Sequence, residues 1–136
     1  SDEQFQKFYW PGLQRLLVFL VEADLTPCVF FEGDYTPRLE YLAELPAGKI
    51  GAHFDVVDRK KAKKITGNTL CFWGNVPPQL LTTGTPEQVQ EDVKELIDTF
   101  ADNGGLIVDC SVGIPDEAKP ENIEAMIRTV FDYGKN

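Results

Sequence analysis

Hydrophobic positions along this chain switch between two periods. From Gln4 to Ala23 they recur at helical spacing, and Leu13, Leu16, Leu17, Leu20 and Val21 form one stripe. Pro11 suits the first turn of a helix that begins near Trp10. The residues before it predict a separate short helix with Phe5, Phe8 and Tyr9 on its apolar face. Four short apolar runs follow: Cys28-Val29-Phe30-Phe31, Ile50-Gly51-Ala52-His53-Phe54, Thr69-Leu70-Cys71-Phe72-Trp73 and Leu106-Ile107-Val108. Each is apolar throughout rather than alternating, the pattern of parallel strands covered on both faces.

Each run leads through polar residues into a helical pattern. Thr36-Pro37 opens one helix, with Leu39, Leu42 and Ala43 facing inward. Asp55 or Asp58 caps the next, which reaches about Thr66 and stops at Gly67-Asn68. Thr85-Pro86-Glu87-Gln88 reads as a capping box, because the Thr85 hydroxyl and the Gln88 side chain can each satisfy an unpaired backbone donor. The helix it opens buries Val89, Val93, Leu96, Ile97 and Phe100 and ends at Asn103-Gly104. Pro120 opens the last helix, with Ile123, Met126, Ile127, Val130 and Phe131 as its stripe.

The order is therefore one helix and then four β-α units, which predicts a parallel sheet with right-handed crossovers. Four strands make half a barrel or a small open sheet. A half barrel leaves two unpaired parallel edges, a pairing hazard. The expected partners are thus a second copy through the open edges or the missing part of a longer barrel. The 136 residues suffice for one domain but not for a complete eight-fold barrel, which takes about 250.

Composition narrows the function classes. A net charge of −9 disfavours nucleic acid, whose phosphates need an excess of Lys and Arg. The one basic run, Arg59-Lys60-Lys61-Ala62-Lys63-Lys64, reads as a solvated helix face. No apolar run reaches the roughly 20 residues of a membrane span, and the start shows no signal-peptide pattern. Cys28, Cys71 and Cys110 lack metal-type spacing and sit in strand-like runs, so they read as buried free thiols of a cytoplasmic protein.

In parallel α/β folds the functional groups gather where strands end and helices begin. Those positions hold Glu32, Asp34 and Tyr35 after the first strand and His53, Asp55 and Asp58 after the second. Trp73 and Asn75 follow the third strand, and Asp109, Cys110 and Ser111 the fourth. Glu32, His53 and Asp55 are the catalytic candidates. Glu32 would sit at the mouth, while Asp34 either joins it or caps a turn through Gly33. Asp55 lies two positions after the only histidine, so both would share a strand face and the carboxylate could hold an imidazole tautomer. Trp73, Asn75, Asp109 and Gly113 are the binding candidates: the Asn75 amide could orient a carboxylate, and Gly113-Ile114-Pro115 makes either an anion-binding loop or a plain turn. Glu32 and Asn75 should face one cleft from strands roughly 10 Å apart.

The order Gly74-Asn75-Val76-Pro77-Pro78, Leu81-Thr82-Thr83-Gly84-Thr85-Pro86-Glu87, Gly104-Gly105-Leu106-Ile107-Val108-Asp109, Gly113-Ile114-Pro115 and Lys119-Pro120-Glu121-Asn122 resembles the C-terminal end of the uroporphyrinogen decarboxylase superfamily. Its members are (β/α)8 barrels that include porphyrinogen decarboxylases and corrinoid-linked methyltransferases. The resemblance runs from about Tyr9 to Gly134. It implies that residues 27–136 are the last four β-α units of a TIM-type barrel, a single half-barrel domain within a larger one. It also implies a tetrapyrrole carboxylate substrate or methyl transfer to or from a corrinoid, with no tightly held cofactor and an N-terminal half-barrel as partner.

The departures are specific. The decarboxylases carry an arginine-rich motif and a catalytic aspartate in the first strands of the barrel, and nothing here matches them. They tend to have His where this chain has Val112. The zinc-dependent methyltransferases have His-x-Cys where this chain reads Phe30-Phe31-Glu32, and their further Cys falls near Val112, two positions from Cys110. No metal site is expected. A non-catalytic binding or assembly module that keeps the half-barrel is the alternative.

Overall fold

The computed structural model describes residues 1–102 and 104–134. It opens with a turn of helix, α1 (Asp2–Gln4), a π-helical turn (Phe5–Tyr9) and α2 (Trp10–Glu22), with Pro11 in the first turn of α2. Then follow β1 (Cys28–Asp34), a 3-10 turn (Thr36–Arg38) with α3 (Leu39–Leu42), β2 (Ile50–Val56), α4 (Arg59–Thr66) and β3 (Leu70–Trp73). The chain continues through α5 (Pro78–Thr82), α6 (Pro86–Phe100), β4 (Leu106–Ile107) and α7 (Pro120–Tyr133). The four strands pair in parallel in the order β1-β2-β3-β4. Sequential order with a crossover after each strand is the topology of a barrel segment, here one half of eight strands.

One face of the sheet carries the core. Phe31, Phe54 and Phe72 lie side by side on it, with ring centroids 5.5 Å and 5.2 Å apart, and Phe100 of α6 stacks on Phe72 at 3.9 Å. Val89, Val93, Leu96 and Ile97 of α6 complete this layer, as their spacing predicts. The Thr85–Gln88 capping box forms in full, so the start of α6 is fixed by local chemistry. The helix ends at Phe100, before the expected Asn103-Gly104; Asn103 lies outside the described residues.

The other face is open, which corrects the expectation of cover on both sides. Phe30 and Ile107 are 46% and 43% exposed there, and Cys28 is an exposed thiol rather than a buried one. In a closed barrel this face looks inward, which is why the strands read as apolar throughout. The lateral helices carry the same signature. Leu16 of α2 and Ile127 and Phe131 of α7 belong to the apolar stripes yet are exposed, because a barrel helix has one face for its sheet and another for its neighbour. The buried residues of α7 are Asn122, Ala125, Met126 and Thr129. Asn122 is buried because its amide donates to the carbonyls of Leu80, Leu81 and Gly84, tying α7 to the end of α5. Before Pro11, Phe5 and Trp10 are buried, Phe5 under the Arg38 guanidinium at 4.4 Å, while Phe8 and Tyr9 face solvent.

Candidate active site

Register places one row of side chains across the open face: Phe30, His53, Trp73 and Ile107 are direct partners in successive strands. The rings of Phe30 and His53 lie 5.0 Å apart, and those of His53 and Trp73 stack at 4.9 Å and 12°. His53 Nε2 stands 2.9 Å from the Cys110 carbonyl oxygen. A carbonyl only accepts, so Nε2 carries the proton and Nδ1 is the proton-accepting nitrogen. The tautomer is therefore fixed by the loop after β4, not by Asp55 as the spacing predicts. Room for this ring comes from Gly74, where a Cβ would stand 3.3 Å from His53 Cδ2 and 3.1 Å from the Phe54 carbonyl oxygen.

The carboxylates are committed locally. Asp55 Oδ2 accepts from the Gly33 amide at 2.9 Å. That bond sits where the β1–β2 register slips: Glu32 and Gly33 together oppose Asp55, with Gly33 at φ +80°. This is a bulge that a glycine permits, and it sets the direction of Glu32 at the mouth. Glu32 is exposed. Asp109 accepts from Trp73 Nε1 at 2.8 Å and from the Cys110 amide at 2.7 Å, so it anchors the indole of the row. Gly113 lies in an exposed bend after this anchor.

Asp34 is a cap. Its Oδ1 accepts from the Thr36 amide at 2.8 Å, and hydrogen bonds from Thr36 hold its carboxyl below the ordinary aspartate range. Because the folded pKa is depressed, the stabilisation is complete above the unfolded value and is lost as pH falls through the folded one. Asp34→Ala should therefore cost about 0.5–1 kcal/mol at neutral pH, the low end for a side-chain cap at an exposed site. In urea titrations, that difference should shrink to nothing as the pH is lowered through the carboxylate range.

Asn75 lies beneath the rim. It is 7% exposed, its Nδ2 donates to the Asp55 carbonyl at 3.3 Å, and its Oδ1 accepts from Arg59 Nε at 2.9 Å. Arg59 also donates to the Asn75 carbonyl at 3.0 Å and forks onto Asp92 of α6 at 2.8 Å and 2.9 Å, with Glu95 at 3.2 Å. The basic run is thus not a uniformly solvated face. Arg59 sits at the start of α4, directly after the Asp58 cap, and turns back over the strand ends, while Lys63 pairs with Asp102. The sequence signal for it was the Asp92/Glu95 pair one turn apart on α6, a receptor for a guanidinium.

The zinc of the methyltransferases does not fit these residues. Phe30-Phe31-Glu32 places one carboxylate where two ligands would stand, and Cys110 is wholly buried with its thiol pushed up by burial. Among the described residues, no three His, Cys, Asp or Glu side chains stand close enough to hold a metal ion.

Fold and site together define half of a (β/α)8 barrel with a stacked ring row and acidic groups at the C-terminal strand ends. A family model described as uroporphyrinogen decarboxylase (URO-D) matches residues 1–133, and the chain belongs to that family. It is similar to the uroporphyrinogen decarboxylase of Azoarcus sp., at 23% identity over 138 residues covering 99% of this chain and 38% of that protein. It is also similar to that of Chlorobaculum tepidum, at 24% identity over 134 residues covering 96% and 38%. Among solved structures it resembles a methyltransferase from Methanosarcina mazei, with a TM-score of 0.75 at 21% identity, covering 98% of this chain and 38% of that one. The chain thus spans under two fifths of the length of the relatives it matches. Among the described residues, no helix is long and apolar enough to cross a membrane.

Proposed function

We propose that this chain forms the C-terminal half of a tetrapyrrole-binding active site in a decarboxylase of this family, complete only with an N-terminal half-barrel on the same or another chain. The observation that carries the reading is the stacked row of Phe30, His53 and Trp73 on the open face. The rings face one another and present their edges to the open side. A porphyrinogen, whose pyrroles are joined by saturated carbons and which is not flat, would bury apolar surface against that ridge. Decarboxylation replaces carbon dioxide by a proton on carbon. On this face His53 Nδ1 and the Glu32 carboxylate are the groups placed to hold or deliver one, while Asp109 fixes the Trp73 wall and Asp55 fixes the bulge that aims Glu32. The arginines that grip substrate carboxylates belong, by family resemblance, to the other half.

Corrinoid-linked methyl transfer is the second reading, favoured by the Methanosarcina mazei neighbour. A corrin ring would bury apolar surface against the same row. A non-catalytic binding or assembly module is the third. Absorbance titration with a uroporphyrin and with cobalamin separates them, using this chain alone and mixed with the N-terminal half of the Azoarcus relative. Porphyrin binding only in the mixture supports the decarboxylase reading, and cobalamin binding only in the mixture supports methyl transfer. No binding in either case supports the module.

The open edges make a further prediction on assembly. Alone at micromolar concentration, the chain should scatter light as a species larger than its 15.3 kDa monomer, since unpaired parallel edges and an open apolar face invite self-pairing. A clean monomer would count against the open half-barrel.

A further inference from the structure

A cavity of about 570 Å³ opens beside the strand ends, between the loops after β2 and β3 and the start of α6. It lies outside the stacked row and is formed wholly by this chain. Four carboxylates line it, from Asp55, Asp58, Asp92 and Glu95, against two cations, Arg59 and Lys60. The guanidinium cannot serve an anionic ligand. Its five N–H groups are all engaged, one from Nε, two from Nη1 and two from Nη2, on Asn75, Asp92 and Glu95.

What remains unengaged is acceptor capacity. Asp55 uses Oδ2 for the Gly33 amide, Asp58 uses Oδ1 for the Lys61 amide, and Glu95 uses Oε2 for Arg59, leaving one oxygen on each. A second and independent feature is Ser111. It lines the cavity, is only 5% exposed, and its hydroxyl has no hydrogen-bond partner among the described residues. Its oxygen keeps some solvent contact, so it offers an acceptor to a donor that enters the cavity.

The carboxylates are too spread to hold a metal ion. The volume is that of a small-molecule site, and Val57, Pro77 and Pro78 supply apolar wall. The geometry points to a binding site for a small organic cation, a primary ammonium on a short aliphatic body. Two of the three ammonium N–H groups donate to Ser111 Oγ and the free Glu95 oxygen, and the aliphatic part lies on the valine and the prolines. The site goes beyond the tetrapyrrole reading and needs no second half, so either can fail without the other.

The test is a two-dimensional amide NMR titration of this chain with n-hexylammonium, n-hexanol and hexanoate, in about 0.15 M salt to screen loose binding to the net negative charge. The expected result is saturable shifts confined to the cavity for hexylammonium, weaker shifts for hexanol and none for hexanoate. Ser111→Ala and Glu95→Gln should each weaken hexylammonium about tenfold, the scale of one hydrogen bond to a charged group, with unchanged circular dichroism. Hexanoate binding as well as hexylammonium, or shifts that spread over the whole acidic surface, would overturn the proposal. So would hexylammonium affinity unmoved in both variants. Glu95 is half exposed and Ser111→Ala removes only an oxygen, so neither change threatens folding.

Discussion

Arg59→Ala should be among the most damaging single changes to this chain, costing about 2–3 kcal/mol, between the scale of an exposed pair and that of removing one partner of a buried pair. Arg59 and Asp92 are 12% and 16% exposed, so the loss leaves a half-buried carboxylate without its fork. It also frees both the side chain and the carbonyl of Asn75. Three elements come apart at once: the start of α4, the end of β3 and the middle of α6. For a chain of this size, a melting temperature lower by roughly 10 °C follows. Arg59→Lys should recover little, because an ammonium cannot meet five acceptors in a plane. The paired change Arg59→Met with Asp92→Leu should come back close to the parent, because replacing a buried pair by apolar groups is often neutral. Thermal melts of the four proteins check the set. If Arg59→Ala loses less than about 1 kcal/mol, typical of an exposed pair, Arg59 is not the brace of this rim.

That the brace went unread in the sequence has a physical cause. Periodicity says which residues of a helix share a face, but not what opposes that face. Arg59 opens a run of basic residues whose other members do face water, and only the folded strand ends bring α6 against it. The capping box at Thr85 was legible because its partners are three residues apart, as was the inward face of α6, which has one sheet to meet. Of the expected stripe of α7, Met126 is buried and Ile123 and Val130 pack against the core. Ile127 and Phe131 are exposed, on a helix that in a closed (β/α)8 barrel has a second helical neighbour, while Asn122 and Thr129 are buried by hydrogen bonds to nearby carbonyls. The same logic governs the site. Glu32, His53, Asp55, Trp73 and Asp109 lie in or just after the C-terminal halves of their strands, because parallel strands deliver their last residues to one edge. Their partners depend on a bulge at Gly33 and on the loop carrying Cys110, neither of which a hydrophobic pattern encodes. Glu32 and Asn75 do not share the expected cleft, since Arg59 and the Asp55 carbonyl engage the Asn75 amide while Glu32 is exposed.

The second large effect separates fold from function within two adjacent residues. Phe54 and His53 point to opposite faces of β2. Phe54 is fully buried, with its ring against Phe31 and Phe72. Truncating such a ring removes its transfer free energy and leaves a cavity, together about 3–5 kcal/mol. A half-barrel has a single covered face, so no second core layer is available to absorb the loss, and Phe54→Ala should unfold much of the population at 37 °C. His53→Ala removes a ring from the open face, where water can reach the Cys110 carbonyl it leaves behind, so about 1 kcal/mol is expected. Its effect should appear instead in ligand binding by the completed barrel, where one member of the ring row is missing. Urea unfolding of the two variants beside a porphyrin titration in the presence of an N-terminal half makes the comparison. If His53→Ala destabilises as much as Phe54→Ala, the imidazole belongs to the core and the row is not a binding wall. If it leaves both stability and porphyrin affinity unchanged, the wall lies elsewhere on the open face.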